Sequence, residues 1–294
     1  MALSDHRRMQ IYGALLLLPA AVLLVTFAYL PTVLTVLRSL FLPGVQGQPA
    51  EFAGLENYAL LADDPVFWKV ARNNLVYALV TVPASIAIAL GMALLVNARL
   101  PGRGLVRMAY FTPTILPMIA AANIWLFFYA PEIGLFNHVL GLFGIAGPNW
   151  LGDESVAMVS VIVMTVWKEA GFFMIFYLAA LQSIPPELRE ASDLEGTGRW
   201  SHFWRVTFPL LMPTTLFVLV NALINAVRVV DHLFILTKGG PNNATNLLLY
   251  HVYETAFSFF DRSYAAAITV MILIVLAVVA TLQFTVLDRR THYQ

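Results

Sequence analysis

The chain is 294 residues long with a formal net charge of zero; 60% of it is hydrophobic, 12% is charged, and its mean hydropathy is +0.76. Soluble domains carry about twice that share of charge, so the composition excludes an ordinary water-soluble fold and points to a polytopic membrane protein. The absence of cysteine removes disulfides, thiolate metal sites and cysteine nucleophiles, and no basic run marks a nucleic-acid surface.

Six apolar segments are each long enough to cross about 30 Å of hydrocarbon at about 1.5 Å per residue. The first, Ile11–Leu37, follows Arg7 and Arg8 as in a signal peptide, but it is longer than such a peptide's apolar core and lacks a clear cleavage site. A retained first span is expected. Gly44, Gly47 and Pro49 then mark turns in a connection that ends in a short helix before the second span, Asn74–Val96. The third span, Leu105–Tyr129, holds Pro113 and Pro117, where kinks are expected if neighbouring helices re-satisfy the freed carbonyls. An aromatic-rich connection, Pro131–Ser155, leads to the fourth span, Val156–Leu181. The fifth, Pro209–Leu236, and the sixth, Tyr264–Val286, complete the set.

Lysine and arginine in the connections set the orientation. With the N-terminus inside, Arg7, Arg8, Arg99, Arg103, Arg107, Arg189, Arg199, Arg205, Arg289 and Arg290 fall in the cytoplasm. Lys69, Arg72, Lys238, Arg262 and Arg38 fall outside. That imbalance predicts an all-α, six-span bundle with both termini in the cytoplasm.

Ionisable groups within spans are costly and are therefore functional candidates. Lys168 and Glu169, with Gly171 beside them, lie in the fourth span; adjacent on a helix, the two charges point about 100° apart. In the fifth, Asn221, Asn225, Arg228 and His232 recur at helical spacing on one face, and Asp231 stands three residues after Arg228, where it could neutralise it. Such a face either lines a hydrated cavity for a polyhydroxylated or phosphorylated ligand, or forms an interhelical polar seam. His232 has no companions at metal-ligand spacing, so no metal site is expected.

The polar stretch Ser183–Pro213 sits between spans four and five, on the cytoplasmic side. Pro185, Pro186 and Glu187 suit the first turn of a helix, and Leu188, Ala191, Leu194 and Glu195 follow at helical spacing. Gly196 and Gly198 break the run; Trp200, Phe203, Trp204 and Phe208 start a second amphipathic piece, which Pro209 and Pro213 are expected to close. The pattern is that of a docking surface, or of an amphipathic loop lying on headgroups.

Glu190-Ala191-Ser192, then Gly196, then Pro209, resembles the EAA loop of permease subunits in binding-protein-dependent ABC importers. Ser192 replaces the family's alanine, and Glu195 stands where aspartate is usual. Gly239-Gly240-Pro241-Asn242-Asn243 after the fifth span, Leu181–Pro186 before the loop, and the external segments around Phe52–Trp68 and Gly134–Leu151 are similar to the carbohydrate and glycerol-3-phosphate (maltose-type) branch. The Thr291–Gln294 ending is faintly similar to the glycerol-3-phosphate members. The resemblance implies a type I importer permease fold over residues 1–294, in a bacterial cytoplasmic membrane. It also implies a second homologous permease, two ATPase subunits docked at Glu190, Ala191, Ser192, Glu195 and Gly196, and an extracytoplasmic binding protein received by the external loops. Substrate would then meet the face that carries Asn221, Asn225 and Arg228.

No G-x-x-x-x-G-K-[ST] occurs: the three lysines, Lys69, Lys168 and Lys238, follow Trp68, Trp167 and Thr237. No hydrolase or metalloprotease signature is present either. The chain is thus expected to be no enzyme and to bind no cofactor, with ATP and Mg²⁺ on partner subunits. The alternative is a self-sufficient secondary transporter using Lys168, Glu169 and Arg228 in ion coupling, against which stands the lack of detectable inverted repeats.

Overall fold

The computed structural model describes residues 2–43, 50–98 and 101–287. The turn residues Gly44, Gly47 and Pro49, the basic residues Arg99, Arg289 and Arg290, and the Thr291–Gln294 ending lie outside them. The chain divides into two compact units, Met1–Asp64 with Val252–Leu273, and Pro65–His251 with Ile274–Gln294.

In the first unit, helix α1 (Ala2–Leu24) passes through a π turn (Val25–Tyr29) into α2 (Leu30–Arg38). The wide turn ends two residues before Pro31, so the missing N–H is met by a local change of helix type and the segment Tyr12–Arg38 stays continuous. A short hairpin follows, β1 (Phe41–Leu42) paired antiparallel with β2 (Glu51–Phe52), and then α3 (Glu56–Asp63). The buried Asn57 amide joins these pieces, donating to the carbonyls of Ser39 at 2.8 Å and Phe41 at 2.9 Å. Ser39 Oγ also shares a hydrogen bond of 2.7 Å with the Tyr58 hydroxyl.

The second unit begins with α4 (Pro65–Asn97), whose 33 residues make a rod of about 50 Å, longer than the expected span. Helix α5 (Arg103–Ile115) and α6 (Met118–Phe128) follow, then the short external α7 (Leu135–Leu142) and α8 (Ala157–Ser183). After α8 come α9 (Pro186–Leu194), the single turn α10 (Arg199–His202) and a π turn (Phe203–Thr207) that runs into α11 (Phe208–Val227). Helix α12 (Asp231–Leu236) follows; α13 (Leu248–Tyr253) passes from the second unit into the first at Val252, and the last span α14 (Arg262–Leu287) belongs to the first unit as far as Leu273 and to the second from Ile274. Helix α4 packs along α8 and α11 through small residues: Ser85, Ala89 and Ala93 recur every fourth position and are fully buried. Ala222 and Ala226 do the same on α11, which lets backbones approach closely where lipid offers no hydrophobic drive to associate.

The structure bears out one sequence expectation and corrects two. The kink expected at the prolines of the third segment is present and large. Leu116 is extended, at φ −67° and ψ 133°, because the ring of Pro117 disfavours the helical conformation before it, and α5 and α6 meet at a bend of 103°. Among the described residues five helical segments are long and apolar enough to cross a membrane, and six if this bent pair counts as one span. Pro209 and Pro213, by contrast, close nothing: Pro209 lies in the first turn of α11 and Pro213 inside it, again preceded by a π turn. The fifth span, expected to be continuous, breaks. Helix α11 ends at Val227, Val230 sits at φ −148° and ψ −39°, and α12 starts afresh at Asp231.

Candidate functional site

The two breaks and α8 together border a cavity of about 430 Å³. Lys168, Glu169 and Phe172 line it from α8, Thr114 and Met118 from either side of the α5–α6 bend, and Asn225, Arg228, Asp231 and His232 from the α11–α12 break. Irregular backbone at membrane depth is tolerated where it lines such a cavity, and the freed groups must find partners.

Lys168 supplies them at the first break. Its ammonium donates to the carbonyls of Pro113, at 3.1 Å, and Leu116, at 2.5 Å. Pro117 has no N–H, so the Pro113 carbonyl has no helical donor four residues on, and the lysine takes that donor's place. At the second break Asn74 on α4 does the equivalent work. Its amide donates to the carbonyl of Ala226 at 3.4 Å, and its Oδ1 accepts the Leu248 N–H at 3.2 Å. His232 is buried, and its Nε2 lies 3.1 Å from Thr165 Oγ1. Thr165 already donates to the Val161 carbonyl and accepts from the Tyr77 hydroxyl at 2.9 Å, so the histidine must donate, with its proton on Nε2.

The other expected cavity residues divide. Glu169, Asn225, Arg228 and Asp231 are brought to the cavity wall, with both signs of charge on it. Arg228 and Asp231 form no ion pair among the described residues, because the helix that would have set them three apart on one face ends between them. Asn221 is not on the wall; its amide donates to the Phe217 carbonyl of its own helix at 2.7 Å. Gly171 is a packing contact. A β-carbon there would stand 2.3 Å from the Tyr110 carbonyl oxygen and 3.0 Å from Thr114 Oγ1, so its lack of a side chain is what lets α5 cross α8. Thr114, Met118 and Phe172 carry no signal in the sequence. Thr114 stands just before Leu116–Met118 in an apolar run, and only the bend at Pro117 reveals its position.

The polar loop folds as a helix, a glycine turn and a second helix. Pro185 precedes α9 and Pro186 opens it. Gly196 ends it at φ +67°, with the N–H of Gly196 on the Asp193 carbonyl at 3.2 Å and that of Thr197 on the Ser192 carbonyl at 2.9 Å. This is the paired closure that a left-handed residue just past a helix permits. Glu190 and Ala191 are exposed on α9, and Glu195 is exposed beside the turn. Ser192 is turned inward, its hydroxyl 2.8 Å from His202 Nδ1 and donating to the Leu188 carbonyl at 3.1 Å. The departure from alanine at this position therefore ties α9 to the helix that enters the fifth span.

On the external side the Gly239–Asn243 turn is held by α4. Lys69 donates to the Asn242 carbonyl at 2.6 Å and pairs with Glu154 at 3.1 Å, while Asn73 donates to the Asn243 carbonyl at 2.7 Å. The hydrogen bond from Lys69, with a second from Asn242, holds the Glu154 carboxyl below its ordinary value. In the Pro131–Ser155 connection Phe136 and Trp150 pack on each other and on Tyr129, while Phe143 is exposed, and Trp150 Nε1 donates to Asn137 Oδ1 at 2.6 Å. Among the described residues no group of three or more His, Cys, Asp or Glu is placed to hold a metal ion.

Comparison with known proteins fits this architecture. The family described as "Binding-protein-dependent transport system inner membrane component" matches residues 70–293. The sulfoquinovosyl glycerol transport system permease protein of Agrobacterium fabrum is 35% identical over 89% of this chain and 85% of its own length. The lactose transport system permease protein of Rhizobium radiobacter is 33% identical over 96% and 95%. The crystal structure of a bacterial ABC transporter involved in the import of the acidic polysaccharide alginate contains a chain with the same fold, at TM-score 0.84 and 24% identity over 99% of both chains. The chain belongs to the family of binding-protein-dependent transport system inner membrane components, and is a multi-pass permease of an ABC importer.

Proposed function

We propose that the chain is one of two permease subunits of an importer for a sugar, a glycosylated glycerol or a glycerol-3-phosphate-like solute. The cavity at the two helix breaks carries the proposal. It presents a carboxylate, an amide, a guanidinium and an aromatic face together, a set suited to hydroxyl groups and, through Arg228, to a phosphate or sulfonate. Relatives named for sulfoquinovosyl glycerol, lactose and sn-glycerol-3-phosphate transport support that solute class. Helix α9 and the Gly196 turn serve as the contact for a separate ATPase, with Glu190, Ala191 and Glu195 on the exposed side. An ATPase that closes on nucleotide moves α9, and the Ser192–His202 hydrogen bond passes the movement to α10 and α11. An ion-coupled carrier is disfavoured by the family.

The test is reconstitution of the assembly with its binding protein, followed by uptake and ATP hydrolysis with a panel of glycosides and glycerol phosphates. Glu169→Gln and Asn225→Ala should raise the solute concentration needed for half-maximal uptake, and Arg228→Gln should act most on an anionic solute. If all three variants transport every member of the panel as wild type does, the cavity is not the solute's path.

A further inference from the structure

A second cavity, of about 780 Å³, lies in the first unit at the external ends of α2 and α14. Arg38, the last residue of α2, and Arg262, the first of α14, both line it, and no carboxylate does. Asp261, next to Arg262, accepts the Tyr264 N–H at 2.9 Å, Asp64 accepts the Tyr264 hydroxyl at 2.6 Å, and Glu51 and Glu254, which flank lining residues in the chain, are not on the wall. Among the described residues neither arginine has an ion pair. Below the two guanidiniums the wall is apolar, with Pro31 and Leu34 on one side and Ala265 and Ala266 on the other.

We propose that this groove binds an anionic phospholipid of the outer leaflet, its phosphate between Arg38 and Arg262 and an acyl chain along the apolar wall. Two guanidiniums lining one cavity repel each other, and the N-terminus of α14 adds partial positive charge of the same sign, so the site favours an anion. A guanidinium pair matches phosphate oxygens in a planar, two-pronged geometry. Headgroup phosphates lie at the depth where a spanning helix ends, and the walls below the arginines belong to helices at hydrocarbon depth, which fits a lipid better than a free anion. Ser263, buried at the foot of Arg262, adds a hydroxyl to the same wall. The proposal is independent of which solute the importer carries.

The experiment is native mass spectrometry of the assembly that contains this chain, equilibrated in mild detergent with equal amounts of phosphatidylglycerol and phosphatidylcholine. The wild type should retain phosphatidylglycerol about tenfold in preference, as expected for a pair of charge-assisted contacts. The preference should fall to near parity in Arg38→Gln/Arg262→Gln, while Arg38→Lys/Arg262→Lys, which keeps the charge, retains most of it and shows that the groove is intact. Equal preference in wild type and the glutamine double variant would overturn the proposal. So would displacement of the lipid by inorganic phosphate alone, which would make the site one for a free anion. Loss of a partner subunit from the double variant with lipid preference unchanged would place an acidic protein segment there instead.

Discussion

Replacing Lys168 by methionine removes the charge while keeping the length of the side chain. The ammonium makes two charge-assisted hydrogen bonds, to the carbonyls of Pro113 and Leu116, and neither carbonyl has a donor in its own helix at the 103° bend. Orphaning a buried carbonyl costs about 1–3 kcal/mol. Because the lysine is only partly enclosed, cavity water recovers some of that, and the sum for both carbonyls is about 2–3 kcal/mol. A loss of that size corresponds to roughly 30- to 150-fold in the equilibrium between the intact and opened bend. The assay is the heat stability of the purified assembly, together with protease sensitivity near Leu116. Lys168→Met should lower the first and raise the second, and Lys168→Gln, which can still donate to one carbonyl, should fall between. A methionine variant as stable as wild type whose only defect is a raised solute requirement would refute the role given to Lys168 at the bend.

Three further perturbations follow from the geometry. Gly171→Val places a side chain against the Tyr110 carbonyl, where a β-carbon alone would be 2.3 Å away; overpacking of about 1–3 kcal/mol or more should reduce assembly yield, measured by size-exclusion chromatography. At Gly196 no atom lies within 4 Å of an added β-carbon, so Gly196→Val acts through its backbone alone, at φ +67°. It should cost about 1–2 kcal/mol, with Gly196→Asn milder, and should raise the ATP hydrolysed per solute imported while the spans still insert. The folded Glu154 carboxyl titrates below its ordinary 4.5, so the stabilisation it gives the external turn is complete above that value and is lost as pH falls through the lowered one. Hydrogen exchange at Asn242–Asn246 should speed up on acidification in the wild type and be pH-insensitive, beyond the intrinsic rate, in Glu154→Gln.

The apolar segments, the glycine turn after Glu190 and the charge bias of the connections all rest on local composition, so they are legible in the sequence alone. Helix α9 has its proline start, its amphipathic run and its glycine end within a dozen residues. The breaks are harder to read. Pro117 announces the first, but the size of a bend depends on what receives the freed carbonyls, and Lys168 lies more than fifty residues away. Nothing in Val227–Val230 announces the second, since β-branched residues weaken a helix without stopping it. Helical periodicity therefore carries Arg228 and His232 onto one face when they belong to two different elements. The prolines 209 and 213 mislead in the opposite direction: a π turn absorbs the first, and the helix runs on.

The proposed function has this permease borrowing its energy through α9. Purification from its native membrane in mild detergent, with identification of stoichiometric partners, tests it. The prediction is a second, homologous permease with two ATPase subunits, released when α9 is altered by Glu190→Arg. A homogeneous complex of this chain alone, still importing solute after reconstitution without any ATPase, would contradict it.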